Sequence, residues 1–202
     1  GGGGANGANK KQKPALRFDA GHMKLPRAQM LAALRGAAAL GPLFVGVFAN
    51  QKPEEVKRIA EESGMDIIQL SGHEGWADLS FYEPFAVINA EHVSPDSSAE
   101  GLLAGVGGEE EALLMLDTKH PLMEGGCGQT FDWGVAAACQ AKRPMFVAGG
   151  LGPGNVAECV RKVRPFAVDA SSGMEEKKGV KEPKLVYQYV HNAKAALAEE
   201  GL

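Results

Sequence analysis

The sequence lacks the patterns that would assign it directly to a membrane, metal-binding or dinucleotide-binding class. Its apolar runs are far shorter than the ~18 residues that a membrane-spanning helix needs. No G-x-G-x-x-G segment opens a strand–helix unit, which disfavours a dinucleotide site. The three cysteines show no C-x-x-C or cysteine–histidine spacing, and their odd number argues against a disulfide framework. We therefore expect a protein of a reducing compartment without a metal site.

The charged residues form no patch that would attract a large charged partner. Twenty-one Lys and Arg residues are set against 25 Asp and Glu residues, a net charge of −4, and the basic residues are scattered along the chain. No basic stripe predicts nucleic-acid or membrane binding, so any phosphate must be bound locally. The expected location is the cytoplasm, with a plastid as the alternative.

The opening of the chain differs in composition from the rest. The stretch "GGGGANGANKKQKPALRFD" is too polar and glycine-rich to bury much apolar surface. We expect residues 1–24 to be a flexible segment or a surface-loop insertion, and residues 25–202 to form the folded domain. With 45% apolar residues in 202, the chain can build one sizeable core.

From residue 25 onward, strand-like and helix-like segments alternate. The strand candidates are apolar throughout, which is typical of a parallel sheet covered by helices on both faces. Helix formers with apolar residues at helical spacing separate most of them. The predicted strands are 43–50, 66–72, 85–93, 112–118, 145–150 and 166–173, and the predicted helices are 25–40, 53–63, 131–141, 153–163 and 182–200.

Glycine and small polar residues cluster directly after the last two predicted strands. These clusters are "FVAGGLGPGNV" at 146–156 and "VDASSGMEEKKGVKEP" at 168–183. In a (β/α)₈ barrel, the loops after strands seven and eight hold a phosphate site. Glycine lets backbone N–H groups approach an anion closely, so Gly149, Gly150 and the Ser172–Gly173 pair are candidates. The alternative is that both are ordinary turns without a ligand.

The same segments resemble the phosphoribosylanthranilate isomerase family of tryptophan biosynthesis. The resemblance covers roughly residues 43–195 and rests on "VGVFANQ", "DIIQLSGHE", "LLMLDT", "GGCGQTFDW", "VAGGLGPGNV" and "VDASSGMEEKKGVKE" in this order. It implies a (β/α)₈ barrel and an aldose–ketose isomerase. The implied reaction is the Amadori rearrangement of a phosphosugar, N-(5′-phosphoribosyl)anthranilate, to 1-(2-carboxyphenylamino)-1-deoxyribulose 5-phosphate, without metal or organic cofactor.

The resemblance also implies a role for each motif residue. Asp117, at the end of "LLMLDT", matches the family's general acid, and Asp169 matches a position near the substrate's ribose. The implied phosphate ligands are the backbone and small side chains of Gly149, Gly150, Leu151, Ser171, Ser172 and Gly173. A flap after strand six would bend at Gly125, Gly126 and Gly128.

Several family features are missing from the chain. The family's general base is a cysteine in an opening K-[IV]-C-G strand, and this sequence has no such motif. Ser71 stands where the family usually has histidine, and Arg27 matches the family's substrate-binding arginine too loosely to carry its role. The six predicted strands correspond to strands three to eight of the barrel. We expect the missing units to lie elsewhere in a longer, multifunctional polypeptide fused to other tryptophan-pathway domains.

Two other functions compete with this interpretation. One is a catalytically degenerate isomerase-like barrel with a structural or assembly role, which the missing base and Ser71 favour. The other is a different phosphate-binding barrel such as indole-3-glycerol-phosphate synthase, against which the strand ends carry no lysine. Asp117 and the two glycine-rich turns count against a purely structural module, because such a module has no need of them.

Overall fold

A parallel six-stranded sheet lies at the centre of the structure, a computed structural model that describes residues 15–106, 112–118 and 130–199. The strands follow one another in sequence order across the sheet, so each pairs with its neighbour in the chain. The strands are β1 (Val45–Phe48), β2 (Ile67–Leu70), β3 (Ala86–Val93), β4 (Leu113–Thr118), β5 (Phe146–Val147) and β6 (Ala167–Val168). The sheet is a parallel half-barrel of the α/β class.

Helices connect most of the strands, as the alternation predicts, and a 3-10 helix (Leu79–Tyr82) lies between β2 and β3. They are α1 (Ala20–Met23), α2 (Arg27–Ala39), α3 (Pro53–Ser63), α4 (Ala99–Ala104), α5 (Trp133–Gln140), α6 (Val156–Val163) and α7 (Pro183–Glu199). In α3, Pro53 occupies the first turn and Glu54 and Glu55 face the positive end of the helix dipole. The helix ends at Gly64, which adopts a left-handed conformation with φ 66°. Among the described residues, no helix is long and apolar enough to cross a bilayer.

The two faces of the sheet bury different clusters of side chains. Leu114 and Leu116 of β4 pack with α5 and α6 on the outer face. Leu113 and Met115, which alternate with them, belong to the cluster that includes α2. Helix α2 lies against this inner face near the amino-terminal ends of the strands. Its Leu34 lines an apolar cavity of about 290 Å³ with Ile67, Ile88, Phe146 and other residues.

Residues 15–24, which we expected in the flexible opening segment, are part of the packed structure. Phe18 is fully buried, and Asp19 caps the short helix α1 and pairs with Phe85 ahead of β3. Arg17 forms an ion pair with the buried carboxylate of Asp66. The described fold therefore begins before residue 25, because one aromatic side chain and one ion pair hold this stretch against the sheet.

The half-barrel has an open edge at β1. Val45 and Val47 of this strand are 38% and 62% exposed, although neighbouring side chains on the inner face are buried. In the described part of the chain, β1 and β6 each have a strand on one side only. The structure thus shows six parallel strands of a barrel-like sheet, with an unpaired edge at either end.

Candidate active site at the carboxyl ends of the strands

Two aspartates lie in one row across the carboxyl end of the sheet. Leu116, Val147 and Val168 are paired in register, and Asp117 and Asp169 each follow this row by one residue. Residues in register on parallel strands point to the same face, which here is the inner face of Met115. The two carboxyl groups therefore face the same space at the mouth of the half-barrel.

Asp117 lies in an environment that favours the protonated form of its carboxyl group more than water does. Burial raises the pKa of Asp117 above its ordinary value, while the bond from the Thr118 N–H and the nearby His92 lower it in part. The net direction is upward. The Thr118 N–H donates to Asp117 Oδ1 over 2.7 Å, which holds the carboxyl at the end of β4. This group can donate a proton to a ligand bound above the sheet.

Asp169 is an exposed residue directly after β6, although the surrounding protein desolvates its carboxyl group in part. This desolvation raises the pKa of Asp169, and the negative charge of Asp117 raises it further. Lys181 acts in the opposite direction. The effect of Asp117 on the pKa of Asp169 follows from their position in one row two strands apart.

The first glycine-rich turn, after β5, lies directly against Asp117. Gly149 and Gly150 both have positive φ angles, 84° and 65°. A Cβ atom on Gly149 would overlap Thr118 and would lie 2.7 Å from Asp117 Oδ1. The N–H groups of Gly149, Gly150 and Leu151 make no hydrogen bond to any other residue that the structure describes. These N–H groups are available to an anion.

The second turn, after β6, contacts the first through backbone atoms. A Cβ atom on Gly173 would overlap the Leu151 carbonyl oxygen and lie 3.0 Å from the Gly152 Cα. Ser172–Met174 form a short 3-10 helix whose first N–H groups have no partner within the helix. Unpaired N–H groups from both turns can bind a phosphate close to Asp117, a carboxyl group whose pKa is raised.

The structure adds a histidine that the sequence did not single out for a role. His92 of β3 is in register with Asp117, and its Nε2 lies 3.2 Å and 3.1 Å from the carbonyl oxygens of Ser71 and Gly72. Because carbonyl oxygens only accept, Nε2 carries a proton. Alternate side chains of β3 point to the inner face, and His92 is one of them. This alternation could have identified His92 from the sequence. His73, the other histidine here, has its ring 6.4 Å from that of His92.

Other candidates from the sequence lie elsewhere or outside the description. Arg27 donates to the Lys142 carbonyl, ahead of β5 and at the opposite end of the sheet from Asp117. The three glycines of the expected flap, Gly125, Gly126 and Gly128, lie outside the described residues. Ser71 accepts a hydrogen bond from Gln69 over 3.0 Å. Among the residues that the structure describes, no cluster of three metal-ligating side chains occurs.

A family model described as N-(5′-phosphoribosyl)anthranilate (PRA) isomerase matches residues 10–192. The chain belongs to the phosphoribosylanthranilate isomerase family. It is thus a member of an isomerase family of the intramolecular oxidoreductase class, as the motifs predicted. The family assignment covers both aspartates and both glycine-rich turns.

Relatives of this isomerase family occur both alone and within larger proteins. The chain is 36% identical over 160 residues to an N-(5′-phosphoribosyl)anthranilate isomerase of Dehalococcoides mccartyi, covering 77% of this chain and 72% of the relative. It is 39% identical over 169 residues to a multifunctional tryptophan biosynthesis protein of Phycomyces blakesleeanus. That match covers 76% of this chain but spans only 22% of the relative's length.

A solved isomerase structure has the same arrangement. The phosphoribosylanthranilate isomerase of Thermotoga maritima superposes with a TM-score of 0.67 at 34% sequence identity, covering 82% of this chain and 80% of that one. The isomerase of Thermus thermophilus gives a TM-score of 0.64 at 33% identity, with coverages of 82% and 80%.

Proposed function

We propose that this protein catalyses the Amadori rearrangement of N-(5′-phosphoribosyl)anthranilate to 1-(2-carboxyphenylamino)-1-deoxyribulose 5-phosphate. The observation that supports this most strongly is the direct contact of two glycine turns beside a carboxyl group whose pKa is raised. A phosphate held by the turns would place the attached ribose over Asp117. The named relatives support the same substrate.

The reaction needs one acid-catalysed step, one base-catalysed step and a final tautomerisation, and no redox partner. A general acid protonates the ring oxygen of the ribose, so that the C1′–O bond breaks and an iminium forms at C1′. A general base then removes the C2′ proton, which gives an enolamine, and this tautomerises to the ketone. The atoms balance because the product is an isomer of the substrate. No metal or organic cofactor is needed for either step.

We assign the acid step to Asp117. A carboxyl group can serve as an acid near neutral pH only if its pKa is raised, and burial raises it here. Phosphate binding is assigned to the N–H groups of Gly149, Gly150 and Leu151 and to the turn formed by Ser171, Ser172 and Gly173. Asp169 is assigned to the ribose, and the segment with Gly125, Gly126 and Gly128 to the flap.

We also propose that the six strands are strands three to eight of a closed eight-stranded barrel. Two further strands would pair with the free edges of β1 and β6 and bury the inner side chains of β1. The general base would lie on one of these units, as the family resemblance implies. A closed barrel has no unpaired edge, which makes it more stable than the open sheet.

Val47 provides a test of the closed barrel. If further strands cover the inner face of β1, Val47→Lys buries an unpaired charge, and we expect the free energy of unfolding of the full-length protein to fall by about 2–4 kcal/mol. Leu40→Lys, at a position that is 85% exposed, is the matched control and should change it little. Urea denaturation measures both. Equal stability of the two variants would contradict the closed barrel.

The relatives also support fusion of this protein to other domains. Because one relative is a multifunctional tryptophan biosynthesis protein, we propose that the isomerase is fused to other domains of that pathway. The Phytophthora nicotianae relative, a tryptophan biosynthesis protein 40% identical over 152 residues, is matched over only 28% of its length. The proposed location is the cytoplasm, with a plastid as the alternative.

The activity itself can be measured directly. We expect the full-length protein to convert N-(5′-phosphoribosyl)anthranilate to the ribulose phosphate, and chromatography of the two compounds measures this conversion. We also expect it to restore growth of a tryptophan auxotroph that lacks this step. Product formation at the uncatalysed rate, together with failure to restore growth, would overturn the proposal. That result would favour the degenerate, structural barrel.

A further inference from the structure

Lys181, near the end of the second glycine-rich segment, contacts both Ser171 and Glu175. Lys181 lies in a two-stranded antiparallel hairpin, β7 (Glu175–Lys177) and β8 (Val180–Lys181), which follows the 3-10 helix. Its Nζ lies 2.8 Å from the Ser171 carbonyl oxygen and 3.1 Å from Ser171 Oγ. It also lies 2.8 Å from Glu175 Oε1. An ammonium group has three N–H donors, so these contacts use all of them.

These contacts determine how the Ser171 hydroxyl can bond. The hydroxyl accepts from Lys181, so its own proton remains available for another acceptor. No residue that the structure describes accepts this proton. Ser171 directly precedes the 3-10 helix whose Gly173 packs against Leu151. The hydroxyl is therefore an available donor at the edge of the proposed phosphate site.

Glu175 holds the lysine in place. Glu175 and Lys181 are opposite each other in the hairpin, and the Glu175 carboxylate is largely buried, with 16% of its side chain exposed. The Lys181 side chain is 46% exposed, so the ion pair alone contributes little to stability. What the pair provides is a defined position for the ammonium group beside Ser171.

We propose that Lys181 is a positioning residue for phosphate binding. It holds the Ser171 turn in its binding shape, leaves the Ser171 hydroxyl proton free for the phosphate, and places a positive charge beside the proposed phosphate site. This inference rests on the proposed function, because it concerns the same phosphate. Lys181 acts through Ser171 and need not touch the substrate.

Lys177 offers a matched control for the loss of charge. It is exposed in the same hairpin and forms no ion pair with any residue that the structure describes. Lys181→Met and Lys177→Met remove the same charge, but only the first removes the contacts to Ser171. We expect Lys181→Met to raise the Kd for inorganic phosphate about tenfold, and Lys177→Met to raise it less than about twofold. Isothermal titration calorimetry of the full-length protein measures both.

A double-mutant cycle tests whether Lys181 acts through Ser171. Ser171→Ala removes the oriented hydroxyl, so Lys181→Met should weaken phosphate binding much less in the Ser171→Ala protein than in the wild type. We also expect Lys181→Met to raise KM for the phosphorylated substrate and to leave kcat within about twofold. Fully additive effects of the two substitutions on Kd would overturn the action through Ser171.

The titrations separate failure of this inference from failure of the proposed function. If the wild-type protein binds no phosphate, the proposed phosphate site is wrong and the role of Lys181 is wrong with it. If the wild type binds phosphate, and Lys181→Met binds it as tightly as Lys177→Met, only the inference about Lys181 is overturned. Both variants change exposed side chains, so thermal melts should show folded proteins in either case.

Discussion

Asp117→Asn is expected to lower kcat by about 10²–10⁴-fold, the range for loss of a general acid. Asparagine has nearly the same shape as aspartate, and its carbonyl oxygen can still accept the Thr118 N–H bond that Asp117 Oδ1 accepts. It cannot deliver a proton to the ribose ring oxygen. The substitution thus removes the chemistry and preserves the packing. Initial rates at saturating substrate measure the effect.

The pH dependence of kcat should change in the same variant. Burial raises the pKa of Asp117, so the wild-type acid stays protonated to a higher pH than an ordinary aspartate. Activity is then lost as the pH rises through this raised pKa, which gives kcat a falling basic limb. Asp117→Asn has no proton to lose at this position, and its residual activity should lack that limb.

Two controls separate loss of chemistry from loss of folding. Asp132→Asn makes the same change at the exposed N-cap of α5, where asparagine caps as well as aspartate does, so activity should stay near wild type.

The raised pKa of Asp117 means that the folded wild type binds this proton more tightly than the unfolded chain. Wild-type stability therefore falls as the pH rises, and Asp117→Asn should be at least as stable at pH ~8. Turnover of Asp117→Asn equal to that of Asp132→Asn would remove Asp117 from the mechanism.

Gly173→Ala is expected to weaken phosphate binding strongly by forcing the two glycine turns apart. The added Cβ would overlap the Leu151 carbonyl oxygen and lie 3.0 Å from the Gly152 Cα, and both are backbone atoms that cannot rotate away. Such overpacking typically costs about 1–3 kcal/mol of stability and displaces the backbone. Since N–H groups from both turns surround the proposed phosphate, we expect the Kd for phosphate to rise at least about a hundredfold.

Gly152→Ala is the matched control, because it adds the same methyl group to the other side of the same contact. Its Cβ would lie 3.6 Å from the Gly173 carbonyl oxygen and 3.7 Å from the Gly173 Cα, which are ordinary van der Waals distances. We expect near-wild-type phosphate binding and stability for this variant. Calorimetric titration and urea denaturation compare the two. If Gly173→Ala binds phosphate as tightly as Gly152→Ala, the turns do not form one site.

Most elements could be predicted from local sequence. The run "DIIQLSG" predicted a strand that is covered on both faces of a sheet. In the structure, all four residues of Ile67–Leu70 are buried. Helix α3 was predictable to the residue from Pro53, the two glutamates after it and Gly64. Such signals act within a few residues of the chain, so they do not depend on what packs around them.

The short elements could not be predicted from local sequence. The hairpin of β7 and β8 joins only five described strand residues around Gly179, and its charged strands show no apolar alternation. Helix α1 is four residues long and depends on a cap by Asp19. These elements are stabilised by contacts with the sheet and with each other, since short isolated segments are marginal in water.

The sequence by itself determined the alternation of strands and helices, the family, the two glycine-rich turns, and the aspartates at the ends of two predicted strands. The tertiary structure decided which of these residues meet. Strand register put Asp117 opposite His92 and in one row with Asp169, and chain folding brought Gly173 against Leu151 and Lys181 against Ser171. A residue's type and near neighbours set its local conformation, but a contact between distant residues depends on the packing of the whole sheet.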